Sequence, residues 1–216
     1  MMPRPDATIV ISKPNLLVVE GVEERVFFNA LIGHLRLQNV QVLPIGGKTK
    51  LRDELGALVI SPSFASVVSL GVVRDADDDP DGAFQSVRGA LTSVGLPSPE
   101  RPLTPMGTAP EVTVVILPEP GKPGMLEDLC LQSVAQDPSM LCVEELFRCL
   151  PTQGLPLPRN MSKARIQVFL ASREEPGKRV GEAAQAGYWP WDDKAFDHLK
   201  AFLRQIGEQE DGRALL

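Results

Sequence analysis

Apolar residues follow two rhythms along this chain. Leu16-Leu17-Val18-Val19, Val40–Ile45, Val67–Val73 and Val112–Leu117 are short, nearly continuous apolar runs. Such runs mark strands buried on both faces. Between them apolar residues recur at helical spacing. Val26, Phe27, Ala30, Leu31 and Leu35 predict a helix over Val22–Leu35. Leu51, Leu55 and Leu58 predict one over Lys48–Leu58. Phe84, Val87, Ala90 and Leu91 predict another, from Asp81 or Gly82 to about Val94. Leu96–Pro110 carries five prolines and reads as a loop. After the fourth run the pattern turns helical, near Met125–Ala135, Val143–Cys149, Ser162–Ser172 and Ala195–Ile206. Ala7–Ile11 reads as an edge strand and Gly207–Leu216 as a frayed, disordered tail.

Strand–helix alternation through the fourth strand predicts an α/β fold. Its sheet is mostly parallel and four-stranded, with helices on both faces and right-handed crossovers. Residues 1–135 form the α/β core and 136–206 a helical C-terminal extension of the same domain, with 207–216 as the tail. The 216 residues are 43% hydrophobic, enough for a core. A net charge of −6 argues against a surface coated with phosphate-binding groups. Cys130, Cys142 and Cys149 are an odd set without CxxC spacing, read as small buried residues in a reducing compartment. Two distant histidines, His34 and His198, argue against a zinc site. No membrane-spanning stretch or leader is apparent, so a cytoplasmic protein is expected.

The candidate chemistry lies at strand ends. The third strand runs into Asp75-Ala76-Asp77-Asp78-Asp79-Pro80-Asp81, five carboxylates in seven residues. Strand alternation sends Asp75 and Asp77 into one volume. Two carboxylates roughly 4 Å apart repel by about 4 kcal/mol at a protein-surface dielectric. Solvent, a raised pKa or a hard cation relieves that repulsion, and oxygen-only ligands suit Mg²⁺, Mn²⁺ or Ca²⁺. A solvated acidic loop is the bland alternative. Against it stands a second acidic strand end at Glu20. In open parallel sheets ligands sit beyond the C-terminal strand ends. Glu20, Asp75, the helix-start Glu24, the following Asp77 and Asp79, and Glu127 and Asp128 after the fourth strand all fall on that edge. First-turn acids also favour the helix dipole without any function.

Leu17-Val18-Val19-Glu20-Gly21 with Glu24, followed by Val72-Val73-Arg74-Asp75-Ala76-Asp77, resembles the TOPRIM fold of topoisomerases, primases, recombination mediators and OLD (overcoming lysogenization defect) nucleases. The Glu-Gly-x-x-acid detail is most similar to the OLD branch, which usually has Asp where Glu24 stands. Pro123–Leu129 and Trp191–Phe196 extend the likeness to a small stand-alone bacterial and archaeal TOPRIM family. The resemblance implies a Rossmann-like, TOPRIM-like sheet and metal-dependent phosphodiester chemistry on nucleic acid, with DNA favoured over RNA and the choice left open. It implies one or two Mg²⁺ or Mn²⁺ ions. Glu20, Asp75 and Asp77 would hold the first, Glu24 and Glu127 would complete a second site, and Asp79 is a further candidate ligand. Lys163 would balance charge on the leaving oxygen, although a first-turn lysine beside a capping Ser162 explains it equally well. The other reading is a non-catalytic TOPRIM module that binds nucleic acid or a protein partner. A dimer is compatible with either.

Three other motifs fail on position. Asp77-x-Asp79-x-Asp81-Gly82 matches half an EF-hand loop, but Arg88 replaces its final Glu. Gly47-Lys48-Thr49 resembles a P-loop end, but Val42 stands where its first Gly belongs. Asp75-x-Asp77 resembles the haloacid-dehalogenase motif, which belongs on a first strand. Trp189-Pro190-Trp191 reads as a loop anchored on the core.

Overall fold

The computed structural model describes residues 10–208. Four strands form one all-parallel sheet in the order β2-β1-β3-β4. They are β1 (Asn15–Val19), β2 (Val40–Pro44), β3 (Ser69–Asp75) and β4 (Glu111–Leu117). The described residues carry eight α-helices: α1 (Val22–His34), α2 (Leu51–Ile60), α3 (Pro80–Ser93), α4 (Leu126–Ser133), α5 (Ser139–Thr152), α6 (Met161–Ala171), α7 (Val180–Gln185) and α8 (Asp197–Gly207). The architecture is Rossmann-like α/β.

Strand alternation sorts the core into two layers. Leu17 and Val19 of β1, Val73 of β3, and Val115 and Leu117 of β4 join α1, α4–α8 and Trp189 in one apolar cluster. Leu16, Val18, Leu70, Val72, Val112, Val114 and Ile116 join α2 and α3 in the other. The helices after β4 therefore cover one sheet face together with α1. Gly71 makes that possible for α8. A Cβ there would fall 2.4 Å from Ile206 Cδ1 and 2.8 Å from Phe202 Cζ. Gly181 does the same for α7, where a Cβ would meet the Glu23 carbonyl oxygen at 2.6 Å.

Several expectations are corrected. Val10 and Ile11 form no strand; the Gln41 side chain holds this segment by donating to the Val10 carbonyl and accepting from Ser12 N–H. Residues 7–9 of that expected strand lie outside the described residues, as do 209–216 of the expected tail. Gly207 is still helical. Lys48–Lys50 form a 3₁₀ turn before α2, and β3 begins at Ser69 rather than Val67. The pattern gave no sign of α7, which is only six residues long. Cys142 and Cys149 are exposed and only Cys130 is buried. Both lie off the stripe that α5 buries through Val143 and Phe147.

Candidate functional site

The C-terminal ends of β1, β3 and β4 open onto one crevice. Glu20 follows β1, and its Oε1 accepts the Asp75 N–H at 3.3 Å. Arg74 Nε, which is buried without a hydrogen-bond partner, stands 3.9 Å from the same oxygen. Burial lifts the Glu20 carboxyl above its ordinary range, with Arg74 opposing. Gly21 leaves room for the next acid: a Cβ there would lie 2.9 Å from Glu24 Oε2. Glu24 therefore leans back over the strand end from the first turn of α1.

Asp75 is the last residue of β3. Its Oδ1 accepts the Leu126 N–H at the start of α4 at 3.0 Å. Desolvation, then the charges of Glu20, Glu24 and Glu127, push its carboxyl up to about 8, against that one hydrogen bond. A carboxyl held protonated near neutrality marks a crevice short of positive charge.

Two helix starts supply the remaining groups. Asp128 Oδ2 accepts the Met125 N–H at 2.9 Å, and its other oxygen accepts the Ser162 hydroxyl. That pair locks the start of α6 against the start of α4. Asn160, not Ser162, caps α6, accepting the Lys163 N–H at 2.8 Å. Lys163 then reaches Glu127 Oε1 at 2.8 Å. Desolvation opposes charge on Lys163, but the bond to Glu127 and the charges of Asp75 and Glu24 outweigh it and raise its pKa.

The structure thus brings together Glu20, Glu24, Asp75, Glu127 and Lys163. It treats the rest of the acidic run differently. β3 ends at Asp75, so strand alternation does not carry Asp77 into the same volume. Asp77 has φ 50°, exchanges backbone hydrogen bonds with Gly124, and sets Oδ2 2.8 Å from Lys48 Nζ. Its charge still acts on Glu20, which places it at the margin of the crevice. Asp79 is exposed and caps α3, accepting the Gly82 N–H at 2.8 Å. Trp189 is buried, donating to the Val180 carbonyl, and Trp191 packs on Phe27 and Phe196. Both anchor the core.

Among the described residues, no three His, Cys, Asp or Glu groups are gathered closely enough to hold a metal ion. The donor chemistry nonetheless fits a hard divalent cation: the set is all oxygen, and at Asp75 burial and three acidic neighbours outweigh the charge of Lys163.

A family model with the description "Protein of unknown function (DUF3226)" matches residues 14–208. The chain belongs to this family. No curated protein matches it, and no solved structure does. The DUF3226 match runs from β1 to the end of α8, so every residue of the crevice lies within it.

Sequence reading assigned no role to Arg74, Lys178 or Arg179. Arg74 reaches Glu20 because the chain rises beside β1 at that level. Lys178 and Arg179 arrive through the turn before α7, an element too short for periodicity to reveal. The described residues contain no helix long and apolar enough to cross a membrane.

Proposed function

We propose that this chain is a TOPRIM-like, divalent-metal-dependent phosphodiesterase acting on nucleic acid, most simply a nuclease for DNA. The observation that carries the reading is Asp75. It is a partly buried carboxyl at a strand end, surrounded by Glu20, Glu24 and Glu127 and pushed up to about 8. Such a group stays protonated, or it is ionised by a cation. Glu20, Glu24, Asp75 and Glu127 would hold Mg²⁺ or Mn²⁺, with Asp77 at the margin. A bound divalent ion neutralises charge developing on a phosphodiester and supplies a water of lowered pKa. The chain's own groups do the rest. The Leu126 N–H orients Asp75, Arg74 holds Glu20, and Lys163 offers a cation beside Glu127 for the leaving oxygen.

The test is cleavage of plasmid and single-stranded DNA with Mn²⁺, by wild type and Asp75→Asn. Product from wild type and none from the folded variant supports the reading.

A second reading is a non-catalytic TOPRIM module for nucleic acid or a protein partner. Lys48–Asp77 and Lys163–Glu127 favour it, because each pair already neutralises an acid without a metal. It predicts a gel shift without product, unaltered by Asp75→Asn.

A further inference from the structure

One cavity of about 610 Å³ opens off the acidic crevice. Glu24, Glu127 and Lys163 form the side it shares with the crevice. Leu126, Ile166, Leu170 and Val180 line it with apolar surface, and all four are buried core residues. Leu126 joins the two spaces directly, because its N–H holds Asp75. Lys178 and Arg179 also line it, Arg179 beside Glu23 at 3.4 Å.

We infer that this cavity receives one unpaired nucleoside of the strand whose phosphodiester sits at the crevice. The substrate class is therefore single-stranded or frayed nucleic acid rather than intact duplex. This deepens, and rests on, the function proposed above.

Three observations carry it. The volume falls within the ~300–1,000 Å³ of small-molecule sites, which combine apolar walls with a few polar groups. The lining balances three carboxylates (Glu23, Glu24, Glu127) against three cations (Lys163, Lys178, Arg179), so it suits a largely uncharged body rather than a second phosphate. Finally, the chain carries a net charge of −6 and lacks the excess of cations with which proteins track duplex phosphates. Affinity must then come from burying a base, and a base reaches such a pocket only out of its stack. The planar guanidinium of Arg179 offers a stacking surface where the lining has no aromatic ring.

The test compares two single-stranded DNAs of equal length in Mn²⁺, one with normal bases and one with abasic sugars at all internal positions. Wild type should cut the base-bearing strand at least about tenfold faster, the scale of one lost stacking contact. Gln167→Trp and Ala171→Trp both fill the cavity from exposed positions and spare the core. In each folded variant the rate on the base-bearing strand should fall to that on the abasic strand. Blunt duplex should be cut more slowly than the base-bearing single strand. Equal wild-type rates on both single strands, or tryptophan variants that still discriminate, would overturn the cavity assignment while leaving phosphodiester cleavage standing. Cleavage of no strand by wild type would remove the functional reading, and this inference with it.

Discussion

At the scale of single residues, Asp75 and Lys163 carry the most consequence. The Asp75 carboxyl rises from an ordinary 3.8 to about 8 in the folded chain. Between those values the folded protein keeps a proton that the unfolded chain has released. The contribution of Asp75 to metal-free stability is therefore greatest in acid and declines as pH rises through this window, until Asp75 ionises at about 8. Asp75→Asn keeps the shape, removes the titration and should flatten that decline. At the alkaline end it should melt above wild type in chelator, by a few degrees for about 1 kcal/mol. Thermal melts across pH with EDTA check this, and parallel wild-type and variant curves would count against the burial of charge at Asp75. Lys163 bonds Glu127 from the first turn of α6. If it balances charge on the leaving oxygen, Lys163→Ala should lower kcat about a hundredfold with little change in KM. A merely solvated lysine would give an unchanged kcat and a stability change within about 0.5 kcal/mol.

At the scale of elements, the strands and long helices were legible because their burial is periodic. Continuous apolar runs can satisfy only a sheet covered on both faces, and the observed sheet is covered on both. What periodicity does not encode was lost. α7 has six residues, less than two turns, and its place depends on Gly181 lying against α1. The approach of Lys163 to Glu127 depends on Ser162 bonding Asp128 across 34 residues, which spacing alone cannot reveal. Asp77 and Asp79 looked like strand-edge acids, but β3 stops at Asp75 and the following turn takes the first to Lys48 and the second to a helix cap. Gly71 was simply part of an apolar run, yet it is the gap that α8 fills. Gly71→Ala would set a methyl 2.4–2.8 Å from Ile206, Leu17 and Phe202. Overpacking of that kind costs about 1–3 kcal/mol, so the melting temperature should fall by several degrees. A variant that melts with wild type would show that α8 is not pressed on the sheet at this point.

At the scale of the whole molecule, an acidic chain gathers three carboxylates, Glu20, Glu24 and Glu127, around one partly buried aspartate, Asp75. Their mutual repulsion is a local cost to the fold, offset in part by Arg74 and Lys163. On the proposed function, a divalent cation completes this balance. A ligand that binds only the folded state stabilises it by RT ln(1 + [L]/Kd), about 2.7 kcal/mol at one hundred times Kd. The most direct measurement is the melting temperature at neutral pH in Mn²⁺ and in chelator, for wild type and Asp75→Asn. Millimolar Mn²⁺ should raise the wild-type melting temperature by several degrees and leave Asp75→Asn where chelator leaves it. Superimposable wild-type melts with Mn²⁺ and with chelator would contradict a cation at the crevice.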